Sequence, residues 1–272
     1  MRDCLSTGEK NLVSLLLFLK NPNGSVLLID DPASSFDDYR RTQIFDMIQG
    51  AKDKTILVVS HDQAFVKRAI LKKATCENIG KVQAMAKTSH GFVFTDIERE
   101  DVVYLPDQVR KRISQVSSYW TKAVNLRLLC DLKKRTLPGV WGYSSAILHK
   151  NSAAEIHSIL NDEGLSEKNV LASISKEFGV DMPKIPVDFP NNLDDSEMTN
   201  FERLIALREL LNDKNSNECI TLNKGRSGDC KVEIEMLNDL VHMNDASAYC
   251  LNPYKYQLWS PALMEFLEQN KQ

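Results

Sequence analysis

The chain has 272 residues, 43% of them hydrophobic and 26% charged, and its 34 basic and 37 acidic side chains leave a net charge of −3. That length carries one large or two small domains with a real core. The hydrophobic content excludes a disordered chain, and the charge excludes a protein drawn to nucleic acid by global attraction, leaving only local basic patches.

Residues 5–20 read as a helix, with Ser6 at the N-cap and Glu9 three residues on in the capping-box pattern. Capping accounts for Ser6 and Glu9 but not for Gly8, which costs about 1 kcal/mol against alanine inside a helix. A glycine fits there if a phosphate approaches the backbone at a helix N-terminus, and the position is expected to be open in the unpaired chain. The apolar run Leu12–Leu19 is far shorter than the roughly 20 residues of a membrane span. It also lacks the basic leader and small-residue cleavage site of a signal peptide. A core helix is expected, with no membrane association.

Asn21-Pro22-Asn23-Gly24 reads as a turn. Val26–Ile29 is a continuous apolar run, as in a strand buried on both faces of a parallel sheet. Residues 37–51 read as a helix, 55–60 as a second buried strand, and 62–73 as a helix with the basic end Lys72-Lys73. This order predicts a βαβ crossover. Residues 81–87 and 91–97, around Thr88-Ser89-His90-Gly91, predict a hairpin.

After about residue 100 the texture becomes helical, with amphipathic stretches at 106–135, 144–161, 166–178, 196–213 and 231–243. A connection at 181–190 holds Pro183, Pro186 and Pro190, and the chain closes with an irregular segment around Leu251-Asn252-Pro253-Tyr254 and a short helix. Residues 1–100 are therefore read as an α/β lobe and 101–272 as a mostly helical domain. The cysteines, Cys4, Cys76, Cys130, Cys219, Cys230 and Cys250, form no C-x-x-C pair and match no zinc spacing, so reduced thiols in a cytoplasmic protein are expected.

Four strings near the start occur in a telling order. They are Leu5-Ser6-Thr7-Gly8-Glu9, Ser25-Val26-Leu27-Leu28-Ile29-Asp30-Asp31-Pro32, Ala33-Ser34-Ser35-Phe36-Asp37 and Thr55-Ile56-Leu57-Val58-Val59-Ser60-His61-Asp62. Together they resemble the signature motif, Walker B strand, D-loop and H-loop of the ABC-type ATPases. No G-x-x-x-x-G-K-[ST] phosphate loop occurs in the 272 residues. The chain thus reads as the second half of an ATPase head without its first. The run Asp-Asp-Pro-x-Ser-Ser-Phe-Asp is most similar to the RloC/PrrC-type ATPases of bacterial anticodon nucleases and phage-defence systems. Heads of the RecF, RecN and SMC type are near relatives.

The resemblance implies a partial P-loop NTPase lobe of ABC type with parallel strands, followed by a mostly α-helical C-terminal domain. It implies ATP and Mg²⁺ as cofactors. Asp30, at a strand tip, is the expected Mg²⁺ residue. Asp31 stands where the family usually has a glutamate that polarises the attacking water. Aspartate is one methylene shorter, and a misplacement of about 1 Å can cost about 100-fold in rate, so slow hydrolysis or a compensating backbone shift is expected. His61 is the expected γ-phosphate switch. Leu5, Ser6, Thr7, Gly8 and Glu9 are expected to face a partner's nucleotide, with Ser34, Ser35 and Asp37 at the dimer seam. The implied partners are a second copy or a complete ATPase paralogue, and nucleic acid, either DNA or tRNA.

Two weaker echoes fall in the helical region. Arg127 and Asp131, with His149 or His157 downstream, are similar to the Arg, Glu and His set of anticodon nucleases, while an i,i+4 ion pair explains the first two equally well. Asn238-Asp-Leu-Val-His242 is similar to a HEPN ribonuclease motif without its arginine. The clusters Arg110-Lys111-Arg112 and Lys133-Lys134-Arg135 read as solvated helix faces that could also touch phosphates. Trp120, Trp141 and Trp259 are expected to be packing residues.

Overall fold

A computed structural model describes residues 6–21, 25–33, 36–73, 75–88, 90–133, 139–148, 152–186, 195–212 and 249–256. The chain forms two compact units, Met1–Val102 and Val103–Gln272. Among the described residues the architecture is α/β, with nine α-helices and small parallel and antiparallel sheets.

In the first unit α1 (Thr7–Leu19) leads into β1 (Val26–Asp30), α2 (Asp38–Gly50), β2 (Thr55–Val59) and α3 (Gln63–Lys73). β1 and β2 pair in parallel, with Leu28 opposite Leu57 and Asp30 opposite Val59. The expected βαβ order is thus present. On one face Leu27 and Ile29 are buried against Leu19, with Leu15, Met47, Ile48, Ile56 and Val58 packed around them. A second cluster joins Ala33, Phe36, Ile44, Phe45 and Phe65, with the two rings of Phe45 and Phe65 meeting edge to face at 5.5 Å.

The opposite face departs from expectation. Val26 is 69% exposed, Leu28 64%, Leu57 60% and Val59 47%. The strands are therefore buried on one face, not two. Among the described residues no second layer covers that face. Parallel sheets normally carry helices on both faces, and the packing just described covers one. Among the described residues β1 also has a strand neighbour on one side alone.

The expected hairpin is β3 (Gln83–Thr88) against β4 (Gly91–Asp96), antiparallel with Met85 opposite Phe94. Both rings of β4, Phe92 and Phe94, are exposed.

β5 (Val102–Tyr104) carries the chain into the second unit and pairs with β6 (Tyr249–Leu251). Part of the segment expected to be irregular near Leu251 is therefore a strand. The predicted helix 106–135 is two helices, α4 (Leu105–Gln115) and α5 (Tyr119–Lys133), and 144–161 is also two, α6 (Val140–Leu148) and α7 (Ala153–Asp162). α8 (Glu167–Phe178) and α9 (Asn200–Asn212) follow. α5 runs through the middle, its Trp120, Val124 and Leu128 buried in one core with Ile113, Tyr143, Ile174 and Phe201. The predicted helix at 231–243, the closing helix and Trp259 lie outside the described residues.

Candidate functional site

β1 and β2 end side by side, and the residues after each tip are joined. Asp31 follows β1 with a left-handed φ of 45°, unusual for a residue with a Cβ. Its N–H donates to Val59 O at 2.7 Å, carrying the ladder one bond past the strand. One carboxylate oxygen accepts from Ser60 Oγ at 2.9 Å, and the other lies 2.9 Å from His61 Nδ1. Asp31, Ser60 and His61 are thus brought together. His61 is 82% exposed on its side chain, so its Nε2 edge is open to solvent. The carboxylate fixes Nδ1 as the donor. A ring that also donated from Nε2 would carry a positive charge.

Asp62 extends this group, and sequence reasoning gave it no role. Its carboxylate accepts from the N–H groups of Ala64 at 2.9 Å and Phe65 at 3.1 Å, opening α3. The same carboxylate pairs with Arg41 Nε at 2.7 Å, tying α3 to α2. The available signal was an Asp just before a helical pattern, a standard cap.

Asp30 is exposed at the tip of β1, and its carboxylate has no hydrogen-bond or ion-pair partner among the described residues. No group of three His, Cys, Asp or Glu side chains that could hold a metal occurs among those residues. A lone carboxylate at a strand tip suits Mg²⁺ only when phosphate oxygens and waters complete the shell. Asp30 therefore fits an ion that arrives with nucleotide, not one held by this chain alone.

A second group forms where α1 meets α2. Ser6 caps α1 with both halves of the box present: Glu9 N–H donates to Ser6 Oγ at 3.3 Å, and Ser6 N–H donates to Glu9 Oε2 at 2.8 Å. The Ser6 N–H, then the Ser6 hydroxyl, hold the Glu9 carboxyl below its ordinary value, with Arg40 adding a smaller pull. Asp37 caps α2, accepting from Arg40 N–H at 2.9 Å.

Gly8 corrects an expectation. It is not open: a Cβ placed there would lie 3.2 Å from Arg40 Nη1 and 3.3 Å from Phe36 Cε1. The small residue accommodates this chain's own ring and guanidinium. Leu5, Ser34 and Ser35 lie outside the described residues, and Thr7 is described by its backbone alone.

In the helical unit the Arg127–Asp131 pair, at 3.0 Å, belongs to a larger cluster. Arg127 Nε lies 3.1 Å from Glu209 Oε2, and Arg208 reaches Asp131 at 3.4 Å and Glu209 at 3.6 Å. The Arg127 guanidinium also sits 4.6 Å from the Trp141 ring centre. Burial pushes the Asp131 carboxyl above its ordinary value, opposed by Arg127 and Arg208. His157 pairs with Glu167 at 3.4 Å. His149, Asn238 and His242 lie outside the described residues. Of the first basic cluster, Arg112 is committed to the buried Glu202 at 2.7 Å, and Arg110 to Asp107. Trp120 is buried as expected, whereas Trp141 is exposed.

No helix among the described residues is long and apolar enough to cross a membrane. Among the described residues Cys76, Cys130 and Cys250 form no disulfide, and burial pushes the Cys130 thiol up to about 12. No family model and no solved structure matches the chain. Over 122 residues, 42% of this chain, it is 25% identical to the energy-coupling factor transporter ATP-binding protein EcfA2 of Acetivibrio thermocellus. The match spans 43% of that relative's length. This weak, partial likeness to an ABC ATPase suggests an ABC-type ATPase lobe within the chain.

Proposed function

We propose that residues 1–100 are one lobe of an ABC-type ATPase head, contributing half of a composite ATP site, and that residues 101–272 form a separate helical domain. The observation that carries this reading is the Asp31–Ser60–His61 group at the tips of two adjacent parallel strands, with Asp30, unpaired among the described residues, beside it. The likeness to a transporter ATP-binding protein supports it.

In this reading Asp30 holds the Mg²⁺ that accompanies ATP, and that ion supplies charge neutralisation at the terminal phosphates. Asp31 holds the proton of the attacking water at its carboxylate. His61, oriented through Nδ1, would donate from Nε2 to the γ-phosphate in its doubly protonated form. Ser6 and Gly8, with Leu5, Thr7 and Glu9, face the nucleotide held by the partner, and Ser34, Ser35 and Asp37 line the seam.

The partner must supply a phosphate loop. The bare aliphatic face of β1 and β2 is where its strand and helix would pack, because among the described residues that face lacks the cover a parallel sheet requires. A second copy of this chain or a complete ATPase paralogue is the partner class. The similarity of Asp-Asp-Pro-x-Ser-Ser-Phe-Asp to RloC/PrrC-type sequences favours a bacterial defence or nucleic-acid-processing complex in the cytoplasm, acting on DNA or tRNA. The bare face equally favours a second reading, a non-catalytic docking subunit.

The test is ATP hydrolysis by the chain mixed with a phosphate-loop-bearing ABC-type ATPase. Alone, the chain is expected to show no micromolar Mg-ATP affinity in calorimetry; the mixture should bind ATP and associate. Asp31→Asn should abolish hydrolysis while preserving ATP-dependent association. Hydrolysis by Asp31→Asn at the parent rate would remove Asp31 from the site. ATP-dependent association with no hydrolysis by the parent would establish the docking reading.

A further inference from the structure

We propose that Phe36 and Gly8 form an interlock that fixes the first turn of α1 to the Asp37 cap of α2, so that displacement of either is carried to the other. Its functional meaning, coupling of the signature segment to the seam segment of the same chain, rests on the proposed ATPase reading; its geometry does not.

Gly8 needs an explanation. It lies in a helix, where glycine is weaker than alanine, and its φ is not among the positive values that require glycine. The explanation is steric. A Cβ at residue 8 would stand 3.3 Å from Phe36 Cε1, 3.8 Å from Phe36 Cδ1 and 3.2 Å from Arg40 Nη1.

The two neighbours differ in how far they can yield. The Arg40 guanidinium is the free end of a long side chain and can swing away. The Phe36 ring is held in the cluster of Ala33, Ile44, Phe45 and Phe65, where close packing leaves little room for retreat. Phe36 is therefore the hard stop. It also adjoins Asp37, whose carboxylate holds the first turn of α2 through Arg40 N–H at 2.9 Å. One ring thus connects the second residue of α1 to the cap of α2. An anion closing on the start of α1 would press on that ring, and the ring on the Asp37 cap.

The interlock is tested on the full chain without nucleotide, so its failure is distinct from failure of the ATPase reading. Four proteins are compared by thermal unfolding and amide exchange: parent, Gly8→Ala, Phe36→Ala and the double variant. With Phe36 in place, Gly8→Ala should lower the melting temperature, because the methyl meets the ring. In the Phe36→Ala background the same change should raise it by about 2–4 °C, the ordinary helix gain of alanine over glycine. Gly8→Ala should also speed exchange at the Arg40 and Arg41 amides by about tenfold, the effect of a 1.4 kcal/mol opening. Should Phe36→Ala fail to fold, Phe36→Leu replaces it, with the same reversal of sign expected. An equal rise in both backgrounds, or an exchange change confined to α1, overturns the interlock.

Discussion

Leu27 and Leu28 are consecutive residues of one strand with the same side chain, and they should respond unequally to truncation. Leu27 is 5% exposed and packs into the cluster beneath the sheet, whereas Leu28 is 64% exposed on the bare face. Leu27→Ala removes buried methyls and leaves a cavity, a loss of about 2–5 kcal/mol. Full burial of a leucine is worth about 1.5–3 kcal/mol. Leu28 has about a third of its surface covered, so Leu28→Ala should cost about 0.5–1 kcal/mol. Urea unfolding followed by far-ultraviolet dichroism reads both variants, with an unchanged denaturant slope as the check that one transition is compared. The same Leu28→Ala protein should self-associate less in sedimentation, because an exposed apolar patch is lost. Equal losses at the two positions would refute the reasoning, since they would mean that the outer face is covered in solution.

Two further outcomes follow from the charged groups. Glu209 is 4% exposed between Arg127 and Arg208, so Glu209→Ala leaves these two buried guanidiniums with Asp131 as their remaining carboxylate here and should cost about 1–3 kcal/mol, while Asp107→Ala at the exposed Arg110 pair should change stability by less than about 1 kcal/mol; equal effects in thermal unfolding would refute the buried-cluster account. Glu9 and Glu155 are both held below the ordinary glutamate value, each first by its cap serine N–H and then by that serine's hydroxyl. Because the unfolded chain takes up these protons first, the two caps stabilise fully above about pH 4.3 and are lost as pH falls further. Helical dichroism should decline over that range, and Glu9→Gln with Glu155→Gln should blunt the decline; an unchanged acid profile would show that the caps do not titrate with folding.

Local chemistry made the first hundred residues readable, and distant contacts explain what was missed. Ser6 and Glu9 announce the start of α1, and Asp37 that of α2, because capping joins residues three apart. The division of 106–135 offered one such signal, Ser118, whose Oγ accepts from Thr121 N–H at 3.2 Å. No glycine or proline marks the break, and Glu197 holds it, accepting from the N–H groups of Ser117 and Ser118 at 2.8 Å each from about 80 residues away. The division of 144–161 was partly visible, since Ser152 and Glu155 repeat the capping box. The bare face of β1 was hidden for another reason. An apolar run reports that side chains prefer burial, and it cannot report how many layers are present to bury them. Gly8 was read as open, because the ring that packs against it sits 28 residues further along the chain.

The same distinction bears on Asp31. An aspartate in place of a glutamate looks from sequence like a carboxylate placed too short, by about the 1 Å that can cost 100-fold. The backbone at this residue is not that of an ordinary strand end. It adopts a φ of 45°, a conformation that disfavours a residue with a Cβ. Two bonds across the strand tips hold it there, the N–H to Val59 O at 2.7 Å and Ser60 Oγ to the carboxylate at 2.9 Å. With the chain turned in this way the carboxylate reaches His61 Nδ1 at 2.9 Å. A longer side chain on the same backbone would overrun both Ser60 and His61, so the short residue and the left-handed turn belong together. Asp31→Glu therefore lengthens a carboxylate already within bonding distance and should weaken the His61 contact. Glutamate at this position is expected to disturb the group instead of improving it.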